Sequence, residues 1–266
     1  YALSPSLRSH IGGPDGFVLG QIWLRGDLRV SFDRNWSISA IAGVGLADTF
    51  DQLKLKSDSI LPHVRTDIVP YLKGTMDYNI VRLETDYVKK FSRDFYARFS
   101  AGIFEEMFSG IGGEVLYRPF SSNFAFGLKA FQVYQRAYDG MFDHLDYDIV
   151  TGHATMYYRE PKSQVHIKID GGRFLAGDSG ITLDLSRRLP SGMYVGAFVT
   201  KTDISAEEFG EGSFDKGFYF SLPLEFFFKT RSKERTSFGL RPITRDGGAK
   251  VITGSDLYGI TDMSSQ

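Results

Sequence analysis

The chain has 266 residues, and its 31 Lys and Arg nearly balance 32 Asp and Glu, so no global field draws nucleic acid or an acidic membrane surface. It contains no cysteine, which excludes a disulfide framework and a thiolate metal site. It also has no run of about 18 apolar residues, which excludes a transmembrane helix.

Aromatic residues make up 15% of the chain, with 23 Phe and 14 Tyr beside 29 Gly, a balance that favours strands and tight turns over helices. A mean hydropathy of -0.18 suits strands that are apolar on one face only. YALSPSLRSH reads as a first strand. IWLRGDLRVSF then sets Ile22, Leu24, Leu28, Val30 and Phe32 against Trp23, Arg25, Asp27, Arg29 and Ser31, which is period two over the whole run. After a DRN turn, WSISAIAGVGL repeats the pattern with Trp36, Ile38, Ala40, Ala42, Val44 and Leu46.

A long polar and aromatic connection, DTFDQLKLKSDSILPHVRTDIVPYLKGTMD, precedes VRLETDYVKK, whose Arg82, Glu84 and Asp86 alternate with Val81, Leu83, Thr85 and Tyr87. SRD turns the chain into FYARFSAGIF, and FEEMFSG leads to GEVLYRPF. SSN turns it into FAFGLKAFQVY, and RAYDGMFDHLDYD leads to VTGHATMYY. EPKS precedes VHIKID, and DGGRFLAGDSG precedes ITLDLSR. LPSG precedes MYVGAFVT, KTDISAEEFGEGSFDKG precedes FYFSLPLEFFF, and KTRSKER precedes SFGLRP. Pro223 falls inside the run FYFSLPLEFFF and marks an expected bulge. Thirteen strands are legible, and VITGSDLYGI is a candidate fourteenth.

Many of these runs reach about 9 to 11 residues, the length a tilted strand needs to cross hydrocarbon. Turns are short at one end, while connections at the other are mostly longer. The expected fold is therefore all-β: an antiparallel transmembrane β-barrel of about 14 strands, in the range of about 12 to 16, forming one domain over residues 1–266. The start at Tyr1, with neither Met nor signal peptide, leads us to expect a piece of a longer protein.

In such a barrel the alternate charged residues face the lumen: Arg25, Asp27, Arg29, Arg82, Glu84, Asp86, Arg98, Glu114, Lys129, Lys168, Asp184 and Glu225. The bland expectation is that they pair across strands and keep the interior wet; the functional one is a hydrophilic lining for a polar polymer. Arg25, Arg29, Arg82, Glu84 and Asp86 are the lumen candidates for polysaccharide contact or gating. Glu211 and Asp215 in the loop FGEGSFDKG join them, with Arg241, Arg245 and Asp246 in RPITRDGG. This last stretch reads as a turn at the outer end, with its Arg and Asp tying it to the acidic loop.

Chemistry has weak footing. His153 lies two residues from Thr155 where a strand hydrolase would carry a serine, so a lumen histidine without catalysis is the expected reading. GDSG at Gly177–Gly180 lacks the surroundings of a protease nucleophile and reads as a turn. No spacing such as HExxH points to a metal, so neither a catalytic residue nor a cofactor is assigned.

Several motifs in order carry a resemblance. FEEMFSGIGGEVLYRPF, RFLAGDSGITLDLSR, PSGMYVGAFVTKTDISAEEFGEGSFDKGFYFSLP, RPITRDGG and DLYGI resemble the carboxy-terminal barrel of the YjbH-like family, outer-membrane proteins of exopolysaccharide and group 4 capsule gene clusters. The resemblance runs from GGPDGF to LYGI, nearly the whole chain. It implies a Gram-negative outer-membrane location, a lipoprotein precursor with further domains upstream, and a non-enzymatic role in secreting or assembling a polysaccharide. It also implies a periplasmic polysaccharide-export protein as partner, with outer-membrane lipid around the barrel. The expected function is a hydrated conduit. The alternatives are a plugged barrel acting as scaffold for the export partner, and a lipid or glycan hydrolase built on His153.

Overall fold

In a computed structural model, the described residues are 1–13, 15–54, 56–57, 59–205, 214–223, 235–240 and 246–263. They form one antiparallel sheet of thirteen strands in sequence order. The strands are β1 (Ala2–Gly13), β2 (Gly16–Ser31), β3 (Trp36–Asp48), β4 (Tyr78–Lys90), β5 (Phe95–Ile103), β6 (Phe108–Tyr117) and β7 (Phe124–Arg136). They continue as β8 (His144–Arg159), β9 (Val165–Arg173), β10 (Ser179–Arg188), β11 (Tyr194–Thr202), β12 (Asp215–Pro223) and β13 (Arg235–Leu240). Every strand pairs with its neighbour in the chain, so each link is a hairpin, and β1 and β13 end the order among the described residues.

Period two sorts the side chains onto two faces. One face carries Leu3, Leu7 and Ile11 on β1, Ile111 and Val115 on β6, Phe126 and Leu128 on β7, and Ile181 and Leu185 on β10, all exposed. The other holds buried charge, including Glu84, Asp86, Arg98, Glu114 and Asp170. A water-soluble sheet would arrange these faces the other way round. Where the lower ends of hairpins meet, outward aromatic rings pair: Trp36 with Tyr87 at 4.9 Å, Phe95 with Tyr117 at 4.7 Å, and Phe124 with Tyr158 at 4.7 Å. Rings in such a row suit a polar–apolar boundary, where an amphipathic ring has one end dry and one end wet.

The lower connections, residues 32–35, 91–94, 118–123, 160–164 and 189–193, are short as expected. The upper ones are more varied than the sequence reading: residues 14–15, 104–107 and 174–178 are equally brief. FEEMFSG and DGGRFLAGDSG read as loops from their glycine, aromatic and acidic content. In the fold the strands reach into both and leave only residues 104–107 and 174–178 as turns, Phe108 and Ser109 opening β6 and Gly171 to Arg173 closing β9. Pro223 pairs with Arg235 at the edge of the described part of β12, and the rest of the run in which a bulge is expected lies outside the described residues. Gly177, at φ +90°, sits in the β9–β10 turn, as GDSG suggested.

The long connection, residues 49–77, folds over the upper end of the sheet's inner face. Its helix α1 (Ile68–Gly74) brings Tyr71 into an apolar cluster with Val64, Phe104, Phe108, Phe131, Val133 and Leu175. Each fully buried ring contributes about 1.5–3 kcal/mol. Beneath it lies Arg136, with no exposed surface, which donates to the carbonyls of Ile80 (2.9 Å), Glu105 (3.1 Å), Glu106 (2.9 Å), Gly140 and Met141 (2.8 Å). Five acceptors satisfy a guanidinium that would otherwise be costly to bury. The Tyr71 hydroxyl donates to the Arg136 carbonyl at 2.5 Å and fixes the cap to β7.

Candidate functional site

The segment VITGSDLYGI corrects the strand expectation. It does not form a fourteenth strand: after a turn at residues 246–248, residues 249–256 run on without a ladder, and Leu257–Met263 form a short helix, α2. Together they make a strap, residues 246–263, that crosses the inner face from the upper end to the lower. The side chains it meets on β4 to β9 explain the path.

At the upper end, Asp246 is almost wholly buried and accepts three hydrogen bonds, from Arg65 N (2.7 Å), Thr66 N (3.0 Å) and Thr66 Oγ1 (2.7 Å). Gly248 N donates to Asp178 Oδ2 at 2.8 Å, and Leu175 N donates to the Ala249 carbonyl at 2.8 Å. Gly248 has φ +75°, and a Cβ there would lie 2.9 Å from Thr200 Cγ2, so both the backbone and the space call for glycine. Arg65 then reaches the Lys250 carbonyl (2.7 Å) and Glu105 (2.9 Å), while Glu105 accepts from Ile252 N (3.4 Å). Burial pushes the Glu105 carboxyl above the usual carboxylate range, and Arg65 works against that rise.

Midway, Lys250 pairs with Asp170, which also accepts from Thr155 Oγ1 at 2.7 Å. Glu84 accepts from Gly254 N (2.7 Å), and Glu114 accepts from Leu257 N (2.9 Å). Arg98, only 3% exposed, donates to Thr253 Oγ1 (2.9 Å) and Ser255 Oγ (3.1 Å) while lying between Asp86 (3.8 Å) and Glu114 (3.9 Å). At the lower end, Arg118 donates to Thr261 Oγ1 (2.8 Å) and Asp262 (2.8 Å), and Arg159 approaches the same carboxylate at 3.4 Å. The Tyr258 ring stacks flat on Tyr157 at 4.0 Å, with the Arg118 guanidinium 4.8 Å from its centre.

The residues expected to carry function therefore divide. Glu84 and Asp86 belong to the strap's seat, Glu84 directly and Asp86 through Arg98 and through Ser100, whose hydroxyl donates to it at 2.5 Å. Arg82 lies 3.5 Å from Glu84 and donates to the Phe104 carbonyl at 2.9 Å. Arg25 pairs with Asp27 in its own strand, at 2.7 and 2.8 Å, instead of across strands. Arg29 stays exposed and lines a cavity of about 420 Å³ with Asp27, Arg82, Asp86 and Gly254. Asp215 is buried beside Gly248, its Cβ 3.7 Å from where a glycine Cβ would stand.

Glu211, Arg241, Arg245 and Glu225 lie outside the described residues. The Asp246 carboxylate turns to the backbone of residues 65–66, where two adjacent N–H groups seat it, while Arg241, Arg245 and most of the acidic loop to which a tie is expected lie outside the described residues. His153 packs edge-on against Phe174 at 4.9 Å, and its Nε2 has no hydrogen-bond partner.

The sequence reading missed Arg65, Asp178, Arg118, Asp170, Asp262 and the strap itself. One local signal existed. Leu257, Tyr258, Ile260 and Thr261 repeat at helical spacing, and Asp256 Oδ1 accepts from Gly259 N at 2.6 Å, as a helix start would require.

Residues 1–263 match the model of the YjbH family, described as "Exopolysaccharide biosynthesis protein YbjH". The chain is 36% identical over 268 residues to a protein of Escherichia coli (strain K12) called "Uncharacterized lipoprotein YjbH". That alignment takes in 98% of this chain and 38% of the relative, so the chain spans well under half the length of the curated protein it matches. No solved structure matches it. With a family match across nearly its whole length and a relative at this identity, the chain belongs to the YjbH family of exopolysaccharide biosynthesis proteins.

Proposed function

We propose that this chain is the wall of a Gram-negative outer-membrane β-barrel, closed by strands beyond those described, through which or along which an exopolysaccharide leaves the cell. The observation that carries the reading is the pairing of an exposed apolar outer face, edged below by aromatic rings, with an inner face of buried charge. In a bilayer the outer face loses its exposure to water, and the inner face keeps a polar interior. The match to an exopolysaccharide biosynthesis family supplies the cargo. The E. coli relative's description as a lipoprotein fits a lipid anchor upstream of this segment.

The polymer would be driven by an export apparatus, with a periplasmic polysaccharide-export protein docking at the lower end. No reaction is assigned to the barrel. His153 packs edge-on against Phe174 with its buried Nε2 unpartnered, which favours a structural role for that ring.

A second reading has its own observation. The strap occupies the inner face of β4 to β9, which favours a barrel that is plugged at rest and serves as a scaffold for the export partner. Steady single-channel conductance of the full-length protein in a planar bilayer supports an open conduit, and no current supports the plugged scaffold. Deleting the gene tests both readings. Loss of extracellular polymer, with polymer retained in the periplasm, is expected; unchanged secretion contradicts the proposal.

A further inference from the structure

The strap leaves part of the inner face uncovered. Between it and strands β9 to β12 lie two cavities, of about 190 and about 310 Å³, which share Lys168 and Asp184 as lining residues. The smaller reaches Thr200, Asp215 and Gly248 at the upper end. The larger reaches His166, Tyr194 and Gly259 at the lower end. They follow one line down the sheet. From Thr200 to Tyr194 the strand β11 advances about 20 Å, at about 3.3 Å per residue.

The chemistry along that line is specific. Tyr157, Tyr194, Tyr219 and Tyr258 all line the larger cavity, the first and last stacked on each other across the boundary between sheet and strap. Gly196 gives the Tyr219 ring its place: a Cβ on Gly196 would lie 2.4 Å from Tyr219 Cζ, so the ring lies flat over the neighbouring strand. Its hydroxyl donates to Asp184 Oδ1 at 2.8 Å. The His166 ring meets Tyr194 edge-on at 5.7 Å. Asp256 projects from the strap, exposed, into the same space.

Flat amphipathic rings interleaved with carboxylates, a lysine and small hydroxyls suit a ligand with both apolar CH faces and a dense ring of hydroxyl groups. A pyranose sugar is such a ligand. An acyl chain would cover Lys168, Asp184 and Asp256 without offering any of them a hydrogen bond, and a nucleic acid would meet Asp184, Asp215 and Asp256 set against Arg65, Lys168 and Lys250, with no excess of cations to hold its phosphates.

We infer that the groove between the strap and strands β9 to β12 is a binding track for a single glycan strand, with Tyr194 and Tyr219 as stacking platforms and Asp184 and Lys168 as hydroxyl contacts, while Tyr258, held between Tyr157 and Arg118, fixes the strap wall. The inference rests on the exopolysaccharide reading above and adds the path to it. The strap serves as one wall of the track, so the polymer passes beside it and the strap stays seated.

The test is calorimetric titration of the purified full-length protein with oligosaccharides prepared by mild acid hydrolysis of the polymer its source strain secretes. Tyr194→Ala and Tyr219→Phe probe the track, and Tyr117→Ala, on the opposite face of the sheet, controls for general damage. Saturable binding to the wild type, weakened about tenfold or more by Tyr194→Ala, weakened less by Tyr219→Phe and unchanged by Tyr117→Ala, is the expected result. Equal binding by wild type and Tyr194→Ala overturns the track, as does no binding to the wild type. The gene deletion is scored separately: if it abolishes secretion while the track variants bind normally, the polysaccharide role stands and the groove is not its path.

Discussion

Removing the carboxylate of Asp246 should release the upper end of the strap. The side chain is 1% exposed and accepts from two backbone N–H groups and one hydroxyl, at 2.7, 3.0 and 2.7 Å. Asp246→Ala leaves the two N–H groups of Arg65 and Thr66 buried without an acceptor, while the Thr66 hydroxyl can turn elsewhere. An orphaned buried donor costs about 1–3 kcal/mol, so the local loss is about 3 kcal/mol. At about 1.4 kcal/mol per factor of ten, the strap should open roughly 100 times more often. Asp246→Asn keeps one acceptor oxygen and should fall between the two. Hydrogen exchange of the full-length protein, followed by mass spectrometry on peptides covering residues 63–68 and 246–257, reads this directly. If these amides exchange at the wild-type rate in Asp246→Ala, the latch does not hold the strap and the reasoning fails.

Gly248→Ala should loosen the same region by a different route, since φ +75° and a 2.9 Å approach to Thr200 both oppose a side chain. The left-handed backbone alone costs about 1–2 kcal/mol, read as a lowered melting temperature. Arg118→Ala should free the α2 helix at the lower end while leaving residues 246–252 protected in exchange; the Asp262 contacts are partly exposed, so the loss is about 1 kcal/mol. His63 gives a pH signature. Burial works to lower its pKa, but the Ser59 carbonyl and the Asp67 carboxylate, with Asp246 nearby, outweigh burial and hold the imidazole above its ordinary 6.5. Its contribution to the cap is therefore full below about 6.5 and is lost as pH rises through the raised value. The difference in cap protection between wild type and His63→Gln should shrink toward alkaline pH; a difference that grows would contradict the sign.

Most of the sheet was legible because its rule is local. Val81, Leu83, Thr85 and Tyr87 against Arg82, Glu84 and Asp86 can be sorted from ten letters, and burial of Glu84 and Asp86 on the inner face follows the same parity. The strap was not legible for the converse reason. VITGSDLYGI alternates weakly, and what keeps it out of the sheet is distant: Glu84, Arg98 and Glu114 take up its backbone and hydroxyl groups from strands more than 130 residues earlier. Asp246 illustrates the same limit. RPITRDGG reads correctly as polar and turn-forming, yet its partner is the backbone near Arg65, inside a connection whose fold no periodicity announces. Parity likewise assigned the charged residues to a face but not their partners: Arg98 lies between Asp86 and Glu114 across strands, Glu84 seats the strap, and Arg25 pairs within its own strand.

The central claim is that the outer face meets lipid while the inner face meets the strap and a polar interior. Because this chain has no cysteine, single cysteines can be placed in it at Ile111, Glu114, Val115, Leu116 and Tyr117 of β6, in a full-length protein freed of reactive cysteines elsewhere, and labelled in intact outer membranes; the β6 glycines are left alone, since a Cβ at Gly110, Gly112 or Gly113 would meet neighbouring atoms within 3 Å. Strict alternation is expected. Cysteines at 111, 115 and 117 should react with a lipid-soluble thiol reagent and resist a water-soluble one, and those at 114 and 116 should resist the lipid-soluble reagent. Reaction of positions 111, 115 and 117 with the water-soluble reagent would contradict it.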